Sequence, residues 1–201
     1  MELQQTRRLF FKKTRKGKVV QPVQEKYLHA DLECGFMGGI AVSSNKLGDM
    51  VSQAPHKQLL VIDTNIAMHQ IDVLEYNCPA TSMMVILQTV MQELKHLNNS
   101  VYLRLLELVK DSSRSFIFYP NEASSSTSTL RYGEFYNNFI LISFAPFHRP
   151  QNETINDAND RAIVVAACYF QTILTGMSSG EVVFLTNDVK NKVGKTSHKK
   201  R

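Results

Sequence analysis

Apolar residues fall into four short runs along the chain: Leu59-Leu60-Val61-Ile62, Met83 to Leu87, Phe116 to Tyr119, and Val182-Val183-Phe184-Leu185. Runs this short without polar alternation suit strands buried on both faces of a parallel sheet. Between them the period changes. Ile66, Ile71 and Leu74 have helical spacing, with His69, Gln70 and Asp72 as polar interruptions. Thr89-x-x-Gln92 reads as a capping box that opens a helix with Glu93 in its first turns. A further helix covers Val101 to Val109, where Leu105 and Leu108 share a face. Asn156 or Asn159 is placed to cap a helix with the stripe Ile163, Ala166, Ala167, Phe170 and Leu174, which Gly176 and Gly180 close. Strands alternating with helices predict a three-layer α/β/α fold around a central parallel sheet.

The remaining segments lack this regularity. Residues 1–35 mix short apolar pairs with basic residues around Gly17, a pattern that suits a small basic β-hairpin arm. Residues 36–57, rich in Gly, Ser and Asn, read as a flexible linker. The main domain then spans 58–190, with an insert around 122–150 and a basic tail at 191–201. Within the insert, Ser124-Ser125-Ser126 reads as disordered low complexity. Residues 131–150 are hydrophobic and aromatic but have no clear place. Tyr132, Phe135, Tyr136 and Phe139 are read there as an apolar patch rather than a base-stacking platform.

Charge sharpens this division. Residues 1–26 carry eight Lys/Arg against two acids and residues 190–201 carry six against none, whereas 27–189 carry nine against sixteen. An acidic centre with basic ends favours RNA or an acidic protein surface as partner. Cys34, Cys78 and Cys168 are widely spaced with no Cys-x-x-Cys pair, which suggests reduced thiols rather than a disulfide framework or a zinc site. No run approaches the roughly 20 apolar residues of a membrane span, and the N-terminus lacks a secretory apolar stretch, so the expected setting is intracellular with no membrane partner.

The acids supply the chemistry. In an open parallel sheet the functional crevice lies outside the carboxyl ends of the strands. Asp63 follows the first apolar run and Asp188 the last, while Glu93 and Asp160 fall near the starts of helices that open on the same edge. Singly, each has an ordinary explanation as a turn or first-turn helix acid. Jointly they predict a cluster whose mutual repulsion demands a divalent cation, and hard oxygen ligands select Mg²⁺ or Mn²⁺. Such an ion can activate water against a phosphodiester. Thr64, Asn65, Thr186 and Asn187 are placed to orient the ligands. Asp157 competes with Asp160, which is preferred because it directly precedes the helical stripe. His69 reads as a packing or surface histidine. A phosphoacceptor role for Asp63 would need a lysine at another strand end, and none occurs before Lys190.

The blocks VIDTN (61–65), HQIDVLE (69–75), LQTVMQEL (87–94), NDANDRAI (156–163) and LTND (185–188), with FKKTRKGKVV and VQEKYLHADLECG between residues 11 and 35, resemble the PIN domains at the N-termini of catalytic subunits of the eukaryotic RNA exosome. The resemblance implies a metal-dependent endoribonuclease that cleaves single-stranded RNA in RNA processing and decay. It implies Mn²⁺ or Mg²⁺ held by Asp63, Glu93, Asp160 and Asp188, docking of the N-terminal region on the exosome core ring, and a nuclear location in nucleolus and nucleoplasm, with the cytoplasm as a further site. The chain departs from the family in keeping only Cys34 of its cysteine-rich segment, in the aromatic stretch around 135–148, and in the thirteen residues after Asp188, where the fold should continue. It therefore reads as a truncated form, and a catalytically silent scaffold docked on the exosome core is the alternative.

Overall fold

The four apolar runs become neighbouring strands in the computed structural model, which describes residues 4–9, 12–13, 15, 17, 19–20, 23–30, 32–128 and 154–187. In chain order, β1 (Gln4–Leu9), β2 (Lys12–Lys13), β3 (Val19–Val20) and β4 (Val23–Leu28) form the arm. β1 pairs antiparallel with β4, from Gln4 opposite Leu28 to Leu9 opposite Val23, and β2 pairs with β3 nearer the tip. The basic hairpin read from the sequence is thus present. Its base is tied to the main body: the His29 N–H donates to the Ala123 carbonyl at 2.7 Å, and the Ser125 N–H donates to the His29 carbonyl at 3.0 Å.

Residues 36–57 are not a linker. They form a short hairpin, β5 (Phe36–Met37) and β6 (Ile40–Ala41), followed by helix α1 (Ser44–Gln53). Gly38 and Gly39, both at positive φ, make the hairpin turn rather than a structureless loop. The Ser43 hydroxyl caps α1 by accepting from the Lys46 N–H, and Leu47 and Val51 bury one face of the helix. Gly35 enters the sheet at φ +95, and a Cβ there would lie 2.3 Å from the Phe118 carbonyl oxygen, so the close approach of this segment to the neighbouring strand requires glycine.

The main sheet has the order β10-β7-β8-β9-β5-β6, where β7 is Gln58–Ile62, β8 Met83–Leu87, β9 Ser115–Tyr119 and β10 Glu181–Leu185. β10, β7, β8 and β9 are parallel, but β5 and β6 join antiparallel at one edge, so the sheet is mixed rather than purely parallel. The tight hairpin accounts for β6 running against β5, which itself runs against β9. β8 is buried at every position, as a central strand between helical layers must be. β10, outermost on its side of the described sheet, is only half-buried.

Helices α2 (Thr64–His69), α3 (Ile71–Glu75), α4 (Gln88–Leu97), α5 (Asn99–Lys110) and α6 (Ile155–Met177) flank the sheet. The apolar spacing from Ile66 to Leu74 belongs to two helices, because Gln70 leaves helical geometry between them. His69 is exposed, as a surface histidine. Phe170, on the buried stripe of α6, meets the Tyr119 ring edge-on at 5.0 Å. Ser124 is fully buried and its hydroxyl accepts from Tyr119 at 2.9 Å, so the serine run is packed at its start instead of disordered. Residues 131–150, the tail 191–201 and Asp188 lie outside the described residues. Among the described residues no helix is long and apolar enough to cross a membrane.

Candidate active site at the carboxyl edge of the sheet

The chain builds β7, β8 and β9 outward in one direction and then returns to place β10 on the other flank of β7. The order therefore reverses between β10 and β7, where open α/β sheets form their crevices. The two strands run in register, with Leu185 opposite Ile62, so the next residues, Thr186 and Asp63, emerge side by side. The Asp63 N–H continues the ladder to the Leu185 carbonyl at 3.0 Å. The Thr186 hydroxyl donates to Asp63 Oδ2 at 2.9 Å. Asp63 is only 2% exposed. It occupies the N-cap position of α2, but its carboxylate makes no capping hydrogen bond, which removes the usual structural reason for an aspartate there. No described lysine, arginine or histidine forms an ion pair with it. A buried carboxylate without a cation is costly, and something else must offset that cost.

Glu93 approaches from α4. The Thr64 hydroxyl, one residue after Asp63, donates to Glu93 Oε2 at 2.6 Å, which joins α2 to α4 and fixes the glutamate rotamer beside the buried aspartate. α4 does not start as its sequence suggests. It begins at Gln88, its N-cap Leu87 offers no side-chain bond, and Thr89 lies inside the first turn, so the expected capping box is absent. Asn121 takes over that task from beyond the end of β9: its Oδ1 accepts from the Thr89 N–H at 3.2 Å and its Nδ2 donates to the Thr89 hydroxyl at 2.8 Å. Asn121 is 1% exposed. Motif reading passed over it as a post-strand residue. Its position just past a strand's carboxyl end, like that of Asp63, was the available signal.

Asp160 sits on α6, half-buried. Neither Asn156 nor Asn159 caps this helix. Thr154 does, in a reciprocal box with Asp157, whose Oδ2 accepts from the Thr154 hydroxyl at 2.6 Å and from its N–H at 3.2 Å. That engagement separates the two competing acids, because Asp157 has a structural role at an exposed helix start. The earlier start also places Asp160 at the sixth residue of α6, about 9 Å along the axis from the cap at 1.5 Å per residue. The helix dipole acts mainly over the first turn, so it gives Asp160 little support. Glu93 is likewise the sixth residue of its helix.

The acids are thus brought to one edge unequally. Asp63, Thr64, Glu93 and Thr186 are linked by hydrogen bonds across three elements and the strand end. Asn65 and Asn187 make no hydrogen bond to Asp63 or Glu93, unlike the two threonines. Among the described residues no three His, Cys, Asp or Glu side chains stand close enough to hold a metal ion, so the expected convergence of Asp63, Glu93 and Asp160 is looser than a finished site. The donor chemistry nevertheless fits a hard divalent cation: the buried carboxylate of Asp63 has no cation partner among the described residues, and carboxylate oxygens suit Mg²⁺ or Mn²⁺. Cys34 is buried and its thiol is pushed up to about 11, chiefly by desolvation, which makes it a poor nucleophile.

The sequence match decides what this edge belongs to. A family profile described as PIN domain matches residues 60–196, which takes in the β7 edge, α4, α6 and β10. The chain belongs to the PIN domain family. It is similar to human "Exosome complex exonuclease RRP44", 35% identical over 195 residues, covering 91% of this chain and 18% of that protein. It is also similar to "Exosome complex exonuclease RRP44 homolog A" of Arabidopsis thaliana, 32% identical over 185 residues, covering 92% of this chain and 17% of that protein. The chain thus spans less than a fifth of the length of these relatives. Among solved structures, the PIN domain of T. brucei RRP44 superposes with a TM-score of 0.57 at 20% identity, covering 84% of this chain and 85% of the other, a likeness of fold. The resemblance read from the sequence blocks therefore holds at the level of the PIN domain of exosome exonuclease relatives.

Proposed function

We propose that this PIN domain is a metal-dependent endoribonuclease that cuts single-stranded RNA as part of an RNA exosome, in RNA processing and decay. The observation that carries the reading is Asp63: a buried carboxylate at the topological switch point, without a cation partner among the described residues or a capping role, held by Thr186 and flanked through Thr64 by Glu93. Asp63, Glu93, Asp160 and Asp188 are the proposed ligands of Mn²⁺ or Mg²⁺ and the catalytic acids. An ion bound there would supply an acidified water and neutralise charge on the phosphodiester. The side chains do the positioning: Thr186 orients Asp63, Thr64 holds Glu93, and Asn121 fixes the start of the helix that carries Glu93. The basic arm is the proposed attachment to the exosome core ring, and the nucleus is the proposed place of work, with the cytoplasm second. The names of the relatives, exosome exonucleases, support the assembly; the family supports a nuclease-type domain.

A second reading, a catalytically silent scaffold on the exosome core, is favoured by the open spacing of the described acids. One experiment separates the two. With Mn²⁺, the chain is expected to cut a circular single-stranded RNA, to melt at a higher temperature than without the ion, and to lose activity about 100-fold in Asp63→Asn. Degradation of linear but not circular RNA, or full activity in Asp63→Asn, overturns the endonuclease. A chain that folds and binds the core ring, yet neither cuts RNA nor is stabilised by Mn²⁺, is the scaffold.

A further inference from the structure

A groove of about 580 Å³ runs between the β5–β6 hairpin and the paired helices α4 and α5. It is separate from the acid edge, because the α4 residues that line it, Gln88, Met91, Gln92 and Lys95, lie on the helix face opposite Glu93 at 100° per residue. Its floor is apolar and mixed in kind: Phe36 and Phe118 from the sheet meet Met91 and Leu106 from the helices. Lys95 and Lys110 contribute the charge, and no acid lines it. Beyond its turn, Ile40 on the outermost strand β6 is 65% exposed, so apolar surface extends past the groove along an open sheet edge.

Lysines in the last turns of α4 and α5 are ordinary complements to helix dipoles. That does not account for the apolar floor that lies between them. A ligand with large apolar side chains and negative charge would answer both features together.

We propose that this groove docks a peptide segment of a protein partner, with apolar side chains seated on the floor and acidic residues facing Lys95 and Lys110. A peptide is favoured over RNA for two reasons. The floor is aliphatic as much as aromatic, which suits Leu or Met side chains better than stacked bases. One of the three aromatic rings in the lining, Tyr102, already has the Lys95 ammonium over it at 5.8 Å from the ring centre. The docking surface is independent of the nuclease reading and holds for the scaffold as well.

The test uses the full chain as bait for a display library of random peptides about twelve residues long, with an oligouridine RNA as the parallel probe. Selected peptides are expected to combine several large apolar residues with net negative charge. Lys95→Glu combined with Lys110→Glu should weaken them about tenfold while the chain stays folded, with a small drop in melting temperature from the lost helix-end complements, and Lys95→Arg with Lys110→Arg keeps them bound. The proposal falls if no peptides are enriched, if the enriched ones are basic or lack apolar residues, or if charge reversal leaves their binding unchanged. It falls equally if oligouridine binds in a manner that requires both lysines and the peptides do not, which would make the groove an RNA path.

Discussion

Helices α4 and α6 each carry a proposed metal ligand at their sixth residue, Glu93 and Asp160, yet they are started by opposite means. α6 is capped from within its own sequence by Thr154 and Asp157. α4 is capped from the far side of β9 by Asn121, and its acid is held in turn by Thr64 of α2. One helix is placed by local chemistry and the other by the assembled sheet. The difference teaches where rigidity comes from: Glu93 is fixed only when β9, α2 and α4 have all docked, whereas the start of α6 can form before any of them.

The largest expected effects test whether the two acids are nonetheless equivalent in function. Glu93→Gln and Asp160→Asn should each lower Mn²⁺-dependent RNA cleavage about 100-fold, because loss of one ligand misplaces the attacking water. The double variant should be little worse than either, as for groups that act as a unit. Full activity in Asp160→Asn with loss in Glu93→Gln would break the equivalence and leave α6 a structural helix. The measurement is the single-turnover rate at saturating metal.

The same contrast explains what could be read in advance. β7 and β8 were legible because a continuous apolar run has few alternatives inside a layered fold. The sequence could put Asp63 forward as a candidate because it ends such a run, and Glu93 and Asp160 because each sits near the start of an amphipathic helix. The β5–β6 hairpin and α1 were missed because Gly38, Gly39 and Gly48 mimic a linker, whereas the first two form a turn and the third lets α1 lie against Met177 and Ser179. The true cap of α4 was out of reach of any local pattern: Thr89 and Asn121 are 32 residues apart and meet only once β8 and β9 are paired. Thr89-x-x-Gln92 satisfied a local rule while the fold used the threonine otherwise, with the helix starting one residue before it.

An intermediate effect separates the caps themselves. Asn121→Ala leaves the buried N–H of Thr89 without its partner and its hydroxyl with only the long 3.5 Å bond to Glu122, which should cost about 1–3 kcal/mol and lower the melting temperature by several degrees. It should also lower kcat about tenfold with KM little changed, since a displaced α4 carries Glu93 out of position while leaving the rest of the RNA-binding surface intact. Thr154→Ala should cost about 1 kcal/mol, as N-cap losses do, with a smaller change in kcat. If Asn121→Ala loses stability but keeps wild-type kcat, the cross-sheet cap is structural only, and the positioning role assigned to it is withdrawn.

The smallest effect distinguishes two acids on one helix. Asp157 accepts from both the backbone and the hydroxyl of Thr154, so it belongs to the cap, whereas Asp160 lies one turn further on and half-buried. Asp157→Ala should therefore remove part of the capping box and some favourable charge at the helix start, costing about 0.5–1 kcal/mol. Its rate of RNA cleavage should stay within about twofold of wild type, because the change frays one exposed turn and leaves the second turn helical. Paired with Asp160→Asn, this gives a crossed pattern: the first variant melts earlier and cuts normally, and the second melts normally and cuts poorly. Thermal melting and single-turnover cleavage on the same preparations read it directly. The reverse pattern, with activity lost in Asp157→Ala and kept in Asp160→Asn, would move the metal-ligand assignment to the helix start and show that the capping box is a resting arrangement that opens when the ion binds.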